Sequence, residues 1–491
     1  MIFVYGTIVV MRLSFPGMID WVEVTVSSVS YLSTQGHQIF VDRNDPNIYS
    51  LLYGPLCYLP YALALKLFGA TINSLRLVFF LLNSALFFTL WSIFRRQLNK
   101  LETAIAIGYI AAALIMNGRE IFMFRGDVLL VLAVSLGLVA SMIGRPALSI
   151  AVFSISCACA LNLKLTAAFY FLVPFYLLWR RRGPLTALAA AAVTPLFILL
   201  PFAISTVSLR NYIYWLHVAS SHPLGRAAFE MNMIGVATLL FPLLLIFGLI
   251  SITNWPRAIE YVKSYKLMGF VFALSIGGSA LTGSLLGGGS HHLNPTFVIS
   301  TYLAAEMWKE LRSEQKKTAV FRYAFAAYAL FMIVPAIPEF HLMWRSCIQQ
   351  HPFAVAVNAD IGEIMRNHQG QTIEMGYSEN EMGSLPDDRS NFSPELIFKN
   401  NPLTVNAVAV SDIELTGLKI PSSTVDRVRS CSTKIWLIPR DGNPFSTLNA
   451  YAAEVPERFP DPHLFSASFR KAFFSTYRKT ETSRYYDLWT C

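Results

Sequence analysis

Charge is scarce in this chain. Acidic and basic side chains supply 14% of its 491 residues, where a water-soluble domain carries roughly a quarter. That shortage excludes an ordinary soluble globule. Cysteine is also rare: six thiols in this length exclude a disulfide-built scaffold. Two of them, Cys157 and Cys159, lie inside an apolar run and read as small buried hydrophobes, not metal ligands. There is no Walker-type Gly-Lys loop, which argues against an ATP-driven machine. The first segment has neither a basic leader nor a small-residue cleavage site, so no cleavable signal peptide is expected. Internal repeats and low-complexity tracts are lacking as well.

What is present is hydrocarbon. Hydrophobic residues make up 54% of the chain, its mean hydropathy is +0.47, and apolar runs recur near the ~20 residues that cross a bilayer. The net charge of +9 does not point to nucleic acid, because Lys and Arg cluster in short loops between those runs, where they set orientation. Spans are expected over residues 1–13, 74–94, 104–116, 128–143, 147–161, 166–179, 185–207, 233–252, 267–286, 293–308 and 325–337. Residues 51–69 are apolar too, but counting them as a crossing puts Arg95, Arg96 and Lys100 outside, against the positive-inside rule. They read instead as a juxtamembrane helix, and the spacing over residues 17–34 predicts an amphipathic helix in the interface plane.

The expected fold class is therefore membrane all-α: a polytopic helical bundle of about eleven spans with interfacial juxtamembrane helices and a C-terminal extracytoplasmic α/β domain. The transmembrane domain covers 1–338, with its first outer loop over 14–73, and the soluble α/β domain covers 339–491. In that second region strands are expected over 372–377, 405–410 and 435–439, and helices over 358–367 and 465–477. The N-terminus falls inside and the C-terminus outside, in a multi-pass protein of the cell (inner, cytoplasmic) membrane. In an exported tail, Cys431 and Cys491 are candidates for a disulfide.

The notable polar clusters all fall on the outer side of this topology. Asp20 and Glu23 stand three apart, sharing a face if both are helical. They are candidate catalytic carboxylates, ligands for a possible divalent metal, or an ordinary solvated face. Arg125 precedes a span with Asp127 beside it. An arginine there suits a phosphate, and Asp127 either orients it or caps the helix. Lys164 lies at a boundary, to meet a lipid phosphate or to snorkel. His291 and His292 follow three glycines and a serine, a turn suited to phosphate or metal approach, or a plain tight turn. Adjacent imidazoles point apart, so one ion is not expected to take both.

Together these residues carry a resemblance. An acidic first outer loop, then Tyr53-Gly54-Pro55-Leu56, Leu67-Phe68-Gly69 and Leu75-Arg76-Leu77, then Arg125-Gly126-Asp127, then Gly289-Ser290-His291-His292-Leu293-Asn294-Pro295 resembles the GT-C membrane glycosyltransferases, relatives of the protein O-mannosyltransferases and the lipid A aminoarabinose transferase. The resemblance implies a hexosyl- or pentosyltransferase that takes a sugar from a polyprenyl-phosphate carrier to a lipid, glycan or protein acceptor. It implies Asp20 as the catalytic carboxylate with Glu23 beside it, although the family often has the two acids adjacent. Arg125, Lys164 and His292 then bind the donor phosphate, supported by Asp127, Arg76 and His291. Two other classes stay open: a secondary transporter or flippase, which predicts midplane charges and an internal repeat, and a non-catalytic membrane scaffold.

Overall fold

The computed structural model describes residues 1–50, 52–117, 119–253, 255–311, 330, 333–379, 388–456 and 461–491. The chain is mostly helical with a small C-terminal sheet. Its first helix, α1 (Ile2–Ser14), is followed by α2 (Trp21–Thr34), α3 (Leu59–Phe68), α4 (Ile72–Phe94) and α5 (Lys100–Met116). Then come α6 (Asp127–Met142), α7 (Pro146–Leu161), α8 (Ala168–Arg182) and α9 (Pro184–Leu199). The bundle continues through α10 (Leu209–Ser220), α11 (Arg226–Thr253), α12 (Trp255–Gly283) and α13 (Asn294–Leu311). Among the described residues, four helical stretches are long and apolar enough to cross a membrane unaided: Ile72–Phe94, Pro184–Ala203, Arg226–Ile252 and Trp255–Gly283. Shorter apolar helices, Asp127–Met142 and Pro146–Leu161 among them, pack between these. The crossing expected over 325–337 lies outside the described residues except at 330 and 333–337.

Caps explain several helix starts. Asn99 and Glu102 form a reciprocal capping box at the head of α5, satisfying two amides that have no partner within the helix. The Thr71 hydroxyl accepts from the Ser74 amide at the head of α4. Pro146 and Pro184 begin α7 and α9, where a missing N–H costs nothing.

Two stretches between the expected spans, read as loops, are helical. Residues 209–220 were expected as loop and form α10, started by Ser208, whose hydroxyl accepts from the Asn211 amide. The basic stretch Arg257 to Lys266 is not a loop; it lies in the first half of α12, its charges spread around the helix.

Beyond residue 333 the chain forms a lobe with α14 (Ile333–Trp344), α15 (His351–Asn367), α16 (Ser393–Ile397), α17 (Ala407–Leu415), α18 (Ser422–Arg429) and α19 (Ala467–Thr476). Its sheet comprises β1 (Ile373–Met375), β2 (Ile435–Pro439), β3 (Arg478–Thr482) and β4 (Tyr486–Thr490), in the order β1-β2-β4-β3. β1 runs parallel to β2, while β4 is antiparallel to both β2 and β3. The aromatic finish of the chain is thus an inner strand, with Trp489 opposite Trp436. Residues 405–410 are not a strand: Asn406 accepts from the amides of Val408 and Ala409 and starts α17. A disulfide joins Cys431 to Cys491, with the two Cα atoms 6.0 Å apart.

The lobe also changes the reading of α2. That helix was expected to lie with one wet face in the interface, yet every residue from Glu23 to Ser33 is buried. Most of its polar side chains are spent on partners within the protein. Trp21 Nε1 donates to Ser390 Oγ (2.9 Å), Thr25 Oγ1 to Asn406 Oδ1 (2.8 Å) and Tyr31 Oη to Asn400 Oδ1 (2.7 Å). Ser30 Oγ donates to the Tyr58 carbonyl at 3.1 Å on the other side. The lobe takes up the polar face that the sequence seemed to offer to water.

Candidate active site

The site is built from stretches that lie far apart in sequence. Tyr53 is placed by Gly54, whose amide donates to the Leu163 carbonyl at 2.9 Å, while the Leu56 amide donates to the Asn162 carbonyl at 3.1 Å. The approach is so close that a Cβ on Gly54 would lie 2.2 Å from the Asn162 oxygen, so only glycine fits. This clamp fixes Tyr53 above Lys164, with Lys164 Nζ 5.3 Å and the Arg125 guanidinium carbon 5.5 Å from the Tyr53 ring centre. Arg125 Nη2 also donates to the Tyr53 hydroxyl.

Asp127 collects both cations. Its Oδ1 accepts from Lys164 Nζ at 3.0 Å, and its Oδ2 lies 3.3 Å from Arg125 Nε. All three side chains are at most 9% exposed. A lone buried charge would be costly, so Asp127 needs at least one of the two cations beside it. Asp127 opens α6, where no side-chain cap is made; of its two expected roles, the geometry is that of orienting Arg125. One positive charge stays uncompensated within this trio. Arg125 Nη1 makes no hydrogen bond among the described residues, and Lys164 uses one of its three protons on Asp127.

The histidine turn comes next. Ser290–Leu293 is a short 3-10 turn, and Tyr170 Oη donates to the His292 carbonyl at 2.7 Å. The two imidazole centres are 4.7 Å apart and tilted by 50°. Burial, then the Lys164 charge, pushes His292 down to about 3, and the same causes hold His291 well below the usual imidazole range. Both rings are therefore neutral at neutral pH. His292 Nδ1 is buried without a hydrogen-bond partner among the described residues.

Asp20 and Glu23 part company. Asp20 is not helical: it sits in extended conformation as the N-cap of α2, and its Oδ1 accepts from the Val22 amide at 2.7 Å. Oδ2 makes no hydrogen bond among the described residues. Asp20 lies within electrostatic reach of Arg125 and of Tyr451. Burial works against the Arg125 charge, and Tyr53, Asp127, Asp20 and Glu120 more than offset it, holding the guanidinium above its ordinary value. Glu23, in contrast, is buried and saturated. It pairs with Arg12 of α1 and accepts from the amides of Ile19 (2.8 Å) and Phe124 (3.1 Å). The expectation of two carboxylates on one open face thus fails, because the first is the cap and the second turns inward.

Arg76 belongs with that inner group and not with the Asp127 trio. It is buried, its Nη1 donates to Asn73 Oδ1 at 2.8 Å, and Arg12 and Glu23 are among its charged neighbours. For a metal, the expected donors were Asp20, Glu23 and His292. Glu23 is committed to Arg12, and among the described residues no three His, Cys, Asp or Glu side chains gather as ligands. The residues present do not fit a divalent ion.

The lobe adds groups that the sequence did not single out. Asp412 of α17 acts electrostatically on Tyr53 and Tyr451. Its carbonyl lies 3.3 Å from His222 Nε2, and His222 Nδ1 lies 3.1 Å from the Leu286 carbonyl. Reading residues 405–410 as a strand hid the helix that presents Asp412. Tyr53 was legible only as part of a short motif.

Two structures from Cupriavidus metallidurans match the chain from end to end. ArnT bound to undecaprenyl phosphate and ArnT in the apo state each cover 99% of this chain and 96% of their own, at 12% identity and a TM-score of 0.54. The chain has the ArnT fold. The lipid A aminoarabinose transferase, one of the relatives in the resemblance drawn from the short motifs, thus has the fold found here. The Archaeoglobus fulgidus oligosaccharyltransferase in its apo form aligns over 89% of this chain and 69% of its own, at 12% identity and a TM-score of 0.43. No family model matches the sequence, and no curated protein does either. With the ArnT fold and its run of apolar helices, this is a membrane protein.

Proposed function

We propose that this ArnT-like chain is a GT-C glycosyltransferase that moves a sugar from a polyprenyl-phosphate carrier to an acceptor at the outer membrane face. The reading assigns about eleven crossings, an inner N-terminus, and the C-terminal lobe as an extracytoplasmic domain of the inner membrane. One observation carries it. A buried cluster of Arg125, Lys164 and Asp127 keeps cationic donors unspent beside a carboxylate, Asp20, that has one oxygen free. ArnT, with the same fold, has been captured with undecaprenyl phosphate.

The chemistry follows from those groups. Asp20 Oδ2 takes the proton of an acceptor hydroxyl, whose oxygen forms a bond to the anomeric carbon of the donor. The bond from that carbon to the carrier phosphate breaks, and its electron pair leaves on the phosphate oxygen. Arg125 Nη1 and Lys164 Nζ stabilise the charge that develops there, a role in which fixed donors count for more than in water. Neutral His291 and His292 add hydrogen-bonding capacity without adding charge. Because the lipid carrier stays in the bilayer, no nucleotide-binding fold is needed.

The test is transfer by the purified chain from a panel of polyprenyl-phosphate sugars, with Asp20→Asn as the decisive variant. Asparagine caps a helix as well as aspartate does, so the variant is expected to keep its melting midpoint and lose transfer by at least 10²-fold. Full activity in Asp20→Asn refutes the assignment of the base. No transfer from any donor, with substrate flux in liposomes instead, refutes the transferase reading.

A further inference from the structure

A cavity lies away from the candidate site, toward the other end of α8. It encloses about 750 Å³ between α8, α11, α12 and α13. Tyr170 marks the site end of α8 by its bond to His292, and Arg180, at the cavity, lies ten residues on, about 15 Å along the helix axis. The cavity is therefore separate from the Asp20 site and does not depend on its assignment.

Its walls are sorted by polarity. Leu177, Leu243, Phe247, Phe272, Leu303 and Met307 make the apolar part. At the mouth stand Arg180, Arg181 and Lys266, with Glu306 as the one carboxylate in the lining among the described residues. That carboxylate is already committed: Glu306 Oε2 accepts from Arg181 at 2.7 Å, and its Oε1 from Gln97 at 2.7 Å. Arg181 is further held by Ser141 Oγ at 3.1 Å. Arg180 and Lys266 are exposed, and neither has an ion-pair partner among the described residues. Arg180 rests over the ring of Tyr265 at 5.1 Å, and Tyr265 stacks on Tyr261 with ring centres 4.9 Å apart. The guanidinium is thus braced by an aromatic column with its edge left to donate, a geometry suited to phosphate. Phe272 is six residues deeper along α12 than Lys266, about 9 Å, so the lining passes from cationic mouth to hydrocarbon within one lipid headgroup and the start of its chain.

We propose that this groove binds an anionic phospholipid from the leaflet at that face, its phosphate between Arg180 and Lys266 and an acyl chain along α11 and α12. Charge complementarity selects the occupant. Two unspent cations over an apolar slot match an anionic amphiphile, and basic pockets between spanning helices recognise such headgroups. Gly269 gives the slot its depth: it lines the cavity, and no atom lies within 4 Å of where its Cβ would stand.

Native mass spectrometry of the full chain, released from nanodiscs of phosphatidylcholine doped with phosphatidylglycerol, tests this. The wild type is expected to retain phosphatidylglycerol over phosphatidylcholine by roughly tenfold or more, the weight of two cations near a headgroup. Arg180→Gln with Lys266→Gln is expected to erase the headgroup preference. Gly269→Trp, which fills the slot without removing a charge, is expected to lose the retained lipid. Should the charge variant elute as aggregate, Gly269→Trp decides alone. Equal retention of the two lipids by the wild type overturns the proposal, as does undiminished phosphatidylglycerol retention by Gly269→Trp.

Discussion

Removing the charge of Glu23 separates a structural brace from a catalytic acid. Glu23 and Arg12 are 0% and 1% exposed, so neither charge has water to fall back on. Breaking a buried pair from one side costs about 3–5 kcal/mol, because the surviving charge is stranded. Glu23→Gln also turns an amide N–H₂ toward one of the two backbone donors, Ile19 or Phe124, that the carboxylate accepts from, a penalty of about 1–3 kcal/mol. Arg12→Met alone strands the carboxylate instead. The double variant removes both charges and keeps the amide mismatch together with the Phe122 carbonyl that Arg12 Nε had held at 3.1 Å, so it is expected to cost about 2–6 kcal/mol, less than either single change and far below their sum. Thermal unfolding in detergent, followed by tryptophan fluorescence, reads this as two single variants melting several degrees low and a double variant partly restored. Transfer by the double variant is expected to recover with its stability, since Glu23 touches the site only through backbone amides among the described residues, those of Ile19 before Asp20 and Phe124 before Arg125. Additive losses refute the brace. So does a Glu23→Gln protein that melts like the wild type while failing to transfer a sugar, which returns Glu23 to the chemistry.

Three further outcomes are expected. Lys164→Gln removes one charged donor to the carrier phosphate, a contact of about 1.5–3 kcal/mol, and is expected to lower kcat/KM for the lipid donor by about 10–150-fold in a steady-state transfer assay, with Asp127 still held by Arg125. Replacing Cys431 and Cys491 by serine opens a link across 60 residues and is expected to destabilise the lobe by about 4 kcal/mol on loop-entropy grounds, read as earlier proteolysis of the lobe. Burial pushes Asp412 from 3.8 to about 8 and Glu414 from 4.5 to about 8. Each holds its proton more tightly folded than unfolded, so the stability they lend is full below about pH 4 and declines as pH rises toward 8; a melting series over that window is expected to flatten in Asp412→Asn.

Much of the bundle was legible because apolar runs and basic loops are coarse signals. Residues 74–94 read as a span and emerge as Ile72–Phe94. Where side-chain geometry decides, the pattern failed. Val405 to Val410 reads as a strand, yet Asn406 caps a helix there with its side-chain Oδ1. The Asp20–Glu23 spacing suggested one helical face, but a capping residue stands outside the helix it begins. Arg12 was passed over, although a lone arginine near the end of an apolar helix calls for a buried partner, and Glu23 is that partner. The trio at Asp127 was legible as residues but not as a cluster, since Lys164 is brought to it by a glycine contact that only coordinates reveal.

The dispersal of the site along the chain bears on how the protein is made. Tyr53, Arg125, Asp127 and Lys164 leave the ribosome well before His291 and His292, and Asp412 and Tyr451 follow only after another hundred residues and more. A nascent chain paused between Lys164 and His291 holds the cations proposed to bind the carrier but not the imidazole turn or the lobe that packs on α2. Under the proposed function, synthesis passes through a stage able to attract a lipid phosphate yet lacking the full set of groups around Asp20, and commitment to chemistry waits for the lobe to be made.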